Sequence, residues 1–168
     1  SLLPGAYTAL AYGQSDGAGQ RLIEVYDVTE SGSHASALTN SSDRGFITDE
    51  NPMVGGFVVS GDRDRFILIR AVGPGLRAYD VSETAADPSI AIWQNGEVIA
   101  ANDNWDDSAD AQMVSEAARA AGAFALAGGS KDAALVFQAK PGAYTVHVTV
   151  PRGADGGEAL LEIYFLDL

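Results

Sequence analysis

The stretch Asn102-Asp103-Asn104-Trp105-Asp106-Asp107, with Asp110 close behind and no basic residue within it, gathers the hard oxygen donors that Ca²⁺ takes. Asn102, Asp103, Asn104, Asp106 and Asp107 are therefore the candidate metal ligands. The spacing is not that of an EF-hand. With Asn102, Asn104 and Asp106 in the first three ligand places, Asp107 stands where glycine is needed and Met113 where the bidentate glutamate belongs. The same residues have a competing structural use, in which Asp106, Asp107 and Ser108 cap a helix while Asn102 and Asp103 close turns. The structural use is the favoured one, so no cofactor is assigned and calcium stays the one candidate.

Other constellations carry less. Gly73-Pro74-Gly75-Leu76-Arg77-Ala78 follows an apolar strand and formally matches the dinucleotide pattern. Pro74 removes a donor the pyrophosphate would want, and Pro88 leaves no room for the helix that should follow, so a turn is predicted. His34 sits in a polar stretch and His147 alternates with valines, and neither has a nucleophile motif beside it, so no catalytic residue is assigned. Glu24 and Glu162 occupy matching places in two copies of a repeat, which argues for a shared structural reason rather than an acid–base pair. Trp93, Trp105 and Tyr79 could stack a sugar ring, which makes carbohydrate the small-ligand alternative, although core packing is the commoner use of such residues.

These residues sit on a chain of 168 residues, 46% hydrophobic and 20% charged, enough for a globular domain with a substantial core. The net charge of -13 repels a phosphate backbone, so nucleic acid is excluded as a partner, as is an anionic membrane surface. No apolar run approaches the roughly 20 residues that span a bilayer. Cysteine is absent, so the redox compartment is not legible. A first residue of serine points to processing or excision from something longer.

Nineteen glycines and short Val/Ile/Tyr/Phe runs predict many short strands. They fall near Gly5–Tyr12, Arg21–Val28, Arg44–Thr48, Met53–Ser60, Arg65–Val72, Ser89–Gln94, Glu97–Ala101, Ala133–Gln138, Gly142–Val150 and Ala159–Asp167. Tyr144 to Val150 alternates strictly, the mark of a strand with one wet face. Asn95-Gly96 between two apolar runs predicts a hairpin with a primed turn. One helix is expected, Ala109 to Ala121, with Met113, Val114, Ala117 and Ala121 on its apolar side and Gly122 as its stop.

The strongest feature is a self-match. Pro4-Gly5-Ala6-Tyr7-Thr8 recurs as Pro141-Gly142-Ala143-Tyr144-Thr145, and Leu22-Ile23-Glu24-Val25-Tyr26 answers Leu160-Leu161-Glu162-Ile163-Tyr164. Each copy crosses an Asp-Gly loop, Asp16-Gly17 or Asp155-Gly156, and reads as a β-hairpin. The domain plan is an extra N-terminal hairpin over 1–30, a polar connector over 31–42 and a β-sandwich module over 43–168. A lone hairpin is marginal in water, so Tyr7, Ile23, Val25 and Tyr26 need a surface to cover them. That surface belongs either to the same chain or to a neighbour; in a neighbour, repetition of one heterologous contact builds an open filament.

Asn40-Ser41-Ser42-Asp43-Arg44-Gly45-Phe46, Met53-Val54-Gly55-Gly56-Phe57-Val58-Val59 and Ile67-Leu68-Ile69-Arg70-Ala71-Val72-Gly73-Pro74 resemble an uncharacterised module of large secreted and surface bacterial proteins. The likeness continues through Asp87-Pro88, Asn102-Asp103-Asn104-Trp105, Gly122-Ala123-Phe124, Ser130 to Leu135 and the second Pro-Gly-Ala-Tyr-Thr. The module occurs in tandem, and residues 1–28 then correspond to the tail of a preceding copy. The second half is similar to the bacterial pre-peptidase C-terminal β-sandwich. The resemblance implies a secreted or cell-surface setting and no enzymatic activity.

The expectation is an all-β, jelly-roll-like antiparallel β-sandwich of about ten strands with one short helix. Its expected role is a non-catalytic extracellular structural subunit that self-associates into a filament or surface array, a homopolymer, through its N-terminal hairpin. The alternative is a calcium- or carbohydrate-binding accessory module of a larger secreted protein.

Overall fold

The computed structural model describes residues 3–11, 22–26, 38–107 and 109–166. The chain divides into two units, Ser1–Leu38 and Thr39–Leu168. In the second, the described residues form β1 (Asn40–Ile47), β2 (Met53–Val59), β3 (Arg65–Val72), a 3₁₀ turn (Pro74–Tyr79), β4 (Ser89–Gln94), β5 (Glu97–Asn102), α1 (Ala111–Ala121), β6 (Ala133–Ala139), β7 (Gly142–Thr149) and β8 (Gly157–Leu166). They make two four-stranded antiparallel sheets, β1-β8-β3-β6 and β2-β7-β4-β5. That is the strand order of a jelly roll. The core between the sheets is built from Ile67, Ile69, Ile90, Ile92, Val146, Val148, Leu161 and Ile163, with Phe57 stacked on Tyr144 at 5.0 Å.

The two sheets read differently because they are covered differently. The alternation seen in β7 buries Tyr144, Val146 and Val148 while its other face stays wet, since no described helix or strand of this unit covers the outside of its sheet. In β3 and β8 the buried run is nearly continuous because α1 covers the outer face. Val114, Ala117 and Ala118 of the helix pack there on Leu68, Ala134, Tyr164 and Leu166. Met113, expected on the buried side, is 40% exposed, and Ala118 takes its place. The helix stops at Gly122 in the left-handed region, φ 75°, as its sequence predicts. The primed turn is also present, with Asn95 at φ 52° and Gly96 at φ 85°.

Three expectations are corrected. Among the described residues the strand count is eight, not ten: residues 6–11 and 22–26 join no ladder, and the ends of those two expected strands lie outside the described residues. Two segments this short bury too little by themselves to order a ladder, and Leu10, Leu22, Val25 and Tyr26 remain exposed. The connector is shorter than expected, because Asn40 to Ser42 already pair with β8; His34 and most of the connector lie outside the described residues. Finally, β7 and β8 are not a hairpin. They sit in opposite sheets, joined by a crossing at 150–156 that Gly156 permits, since a Cβ there would strike the Ile47 carbonyl. Their apolar stripes need to face each other across the core, which a flat hairpin would not allow.

Candidate functional site

The acidic loop acts as a clasp between β5 and β6. Asn102 accepts the Ala134 N–H on Oδ1 (2.9 Å) and donates from Nδ2 to the Asn104 carbonyl (3.1 Å). The Trp105 N–H donates to the Asp132 carbonyl (2.9 Å), and its indole N–H to the Ala127 carbonyl (3.1 Å). Asp106 accepts from the Gly129 N–H instead of capping α1, whose N-cap residue is Asp110 with no side-chain cap. Asp103 and Asp107 are exposed, and the Asn104 side-chain oxygen is buried without a partner among the described residues. Among those residues no three His, Cys, Asp or Glu side chains converge as a metal would require. The five oxygen-bearing residues thus share a loop, with Asn102 and Asp106 committed to backbone donors.

The glycine-rich turn is filled by the chain itself. Asp132, fully buried, accepts the N–H groups of Gly73 (2.8 Å) and Gly75 (3.1 Å) on Oδ1 and the Ser130 hydroxyl (2.8 Å) on Oδ2. Donors that could have held a phosphate are spent on this carboxylate. Sequence reasoning placed Asp132 only within a resemblance; its separation of 59 residues from Gly73 hid the contact.

A second buried charge was also missed. Arg70 is fully buried, with Nε 3.2 Å from Glu162 Oε2, Nη1 donating to the Phe124 carbonyl (2.8 Å) and its guanidinium 4.4 Å from the Phe124 ring centroid. Tyr164 donates to the other Glu162 oxygen at 2.6 Å. Burial first, then the hydrogen bond to Glu162, holds the Tyr164 phenol well above its ordinary value. A cleft of about 320 Å³ opens beside this cluster, walled by Trp105, Val114, Ala118, Arg119 and Leu126. Arg70 also lines it, with a side chain that has no accessible surface and a charge paired with Glu162.

The aromatic residues do not assemble a platform. Trp93 lies on the outer face of its sheet against His147 (5.4 Å) rather than in the core, because the inward places of β4 go to Ile90 and Ile92. Trp105 packs with the α1 cluster on the other sheet, and Tyr79 rests on Phe124 at 4.9 Å.

In the N-terminal unit, Tyr7, Ile23, Val25 and Tyr26 are exposed by 59%, 51%, 68% and 73%. Their local hydrogen bonds repeat those of β7 and β8. Tyr7 donates to the Leu3 carbonyl (2.6 Å) as Tyr144 does to Lys140 (2.8 Å), each four residues back. Tyr26 donates to Glu24 (2.8 Å) as Tyr164 does to Glu162. This bond raises the Tyr26 phenol above its usual value.

The chain is similar to the pre-peptidase C-terminal domain of collagenase from Bacillus anthracis, at 15% identity and a TM-score of 0.40, over 76% of this chain and 90% of that one. No protein-family model and no curated protein matches it. No described helix is long and apolar enough to cross a membrane.

Proposed function

We propose that the protein is a non-catalytic extracellular building block whose N-terminal segment docks on a neighbouring subunit, so that repeated docking makes a filament or surface array. One observation carries this reading: a segment that duplicates the two central strands β7 and β8, down to their tyrosine hydrogen bonds, holds its four apolar anchors exposed. Covering such side chains returns about 1.5–3 kcal/mol apiece, which offsets the cost of ordering the segment only when a receptor surface is supplied. The contact between segment and receptor is heterologous, so it recruits further copies into an open filament wherever its rotation does not close a ring. Of the side chains weighed as acid–base candidates, Glu162 is tied to Arg70, and His147 lies tilted against Trp93. Removing residues 1–30 tests the proposal. The truncated chain is expected to fold and remain monomeric while the full chain grows, as followed by light scattering and electron microscopy; polymers formed by the truncation would overturn it.

A further inference from the structure

We propose that the open side of the sandwich formed by β5 and β6 receives residues 6–11 and 22–26 of a second copy, one segment extending each sheet. This rests on the assembly reading above and adds the acceptor to it. Because the repeated segments correspond to strands of opposite sheets, a receiver must offer a free edge in each sheet on the same side of the sandwich. The fold has two such sides, β1 with β2 and β5 with β6.

They are not equivalent. On β1 the inward positions, registered against Ile163 and Leu161, are Ser41 and Asp43, both exposed. A strand added there would bury the Asp43 carboxylate among apolar side chains, the device by which edge strands are guarded against pairing. The opposite side carries no such guard. Its inward residues Ala100, Leu135 and Phe137 are apolar, half-buried and packed on the core, and Val98 and Ile99 stand 48% and 42% exposed beside them. Asn102 occupies the Ala134 N–H, which points away from β3; by alternation the N–H and C=O groups of Val136 and Gln138 face the same open side. The clasp therefore closes one end of this edge and leaves the other able to pair.

The occupant fits the opening. Leu22 to Tyr26 corresponds to β8 and pairs with β6, placing Ile23 and Val25, counterparts of the inward Leu161 and Ile163, over Leu135 and Phe137. Ala6 to Ala11 corresponds to β7 and pairs with β5, bringing Tyr7 to the same seam. Phe137 already meets the Tyr144 ring edge-on at 5.6 Å, and Tyr7 supplies the equivalent ring from the second copy.

Two proline variants of the full chain distinguish the sides. Gln138→Pro removes a donor on the β6 open edge and leaves the ladder to β3 intact. Ser42→Pro does the same on β1, where the Phe165 N–H bond to the Thr39 carbonyl sets the alternation. Association measured by light scattering is expected to weaken at least about tenfold in Gln138→Pro and to be unchanged in Ser42→Pro. As a second readout, chains carrying Glu24→Cys mixed with differently tagged Val136→Cys chains, the two positions this register sets opposite each other, are expected to form a mixed disulfide, with no native cysteine to confuse it. Weakening by Ser42→Pro with Gln138→Pro unaffected, or no mixed disulfide under assembling conditions, would overturn the acceptor while leaving assembly standing. An unmodified chain that stays monomeric would overturn both.

Discussion

Glu162→Ala should damage the fold far more than Glu24→Ala, although the two residues hold the same place in the repeat. Within the module the Glu162 side chain is 7% exposed and Arg70 is 0% exposed, with 3.2 Å between Nε and Oε2. Truncating Glu162 leaves the guanidinium buried with the Phe124 carbonyl and ring as its remaining company, and a buried charge stripped of its partner costs about 3–5 kcal/mol. For a unit of this size that corresponds to a fall in Tm of roughly 10–20 °C. Glu24 has no ion pair among the described residues and bonds an exposed tyrosine, so its removal should stay within about 0.5 kcal/mol. The assay is thermal and urea unfolding of each variant in the background lacking residues 1–30 for Glu162, and in the full chain for both. Replacing Arg70 and Glu162 together by Met and Leu should lose less than Glu162→Ala does. A Glu162→Ala loss below about 1 kcal/mol would refute the claim that the ion pair is sealed from water.

Further outcomes follow from the same contacts. The raised Tyr164 phenol favours the folded state while protonated, so its contribution is complete below the ordinary phenol value of 10.0 and is lost as the pH rises above it; urea unfolding from neutral to alkaline pH should show a decline that Tyr164→Phe flattens. Asp132→Ala strands the Gly73 and Gly75 N–H groups and should cost about 2–4 kcal/mol, read by thermal melts. Asn102→Ala should cost about 1–2 kcal/mol and speed hydrogen exchange at the Ala134 amide, which the clasp now protects. Since the loop oxygens of Asn102 and Asp106 already serve backbone donors, calcium and EDTA should give the same Tm; a calcium-dependent rise would favour the accessory-module reading instead.

Features whose cause is local were legible from sequence. Asn95-Gly96 needs positive φ and formed its turn, Gly122 ended the helix, and the alternation from Tyr144 to Val150 announced one buried face. The oxygen-rich loop was located, but the partners that turn it into a clasp, Ala134 and Gly129, lie far along the chain. Arg70 with Glu162 and Asp132 with Gly73 were hidden for the same reason: each pair is made by strand pairing or a crossing, and a charged residue inside an apolar run shows no partner by itself. The repeat was visible, yet its geometry was not. Two adjacent apolar segments with a turn between them read as a hairpin, and only the sheet order places β7 and β8 on opposite sides of the core.

The most direct measurement is the mass of the purified full chain against that of the chain lacking residues 1–30, taken by light scattering over a concentration series. Growth of the full chain with concentration, beside a truncation fixed at the monomer mass and still folded by circular dichroism, is the predicted result. A full chain that stays at its own monomer mass across the series would mean that Tyr7, Ile23, Val25 and Tyr26 bind no neighbour, and the assembly account would fail.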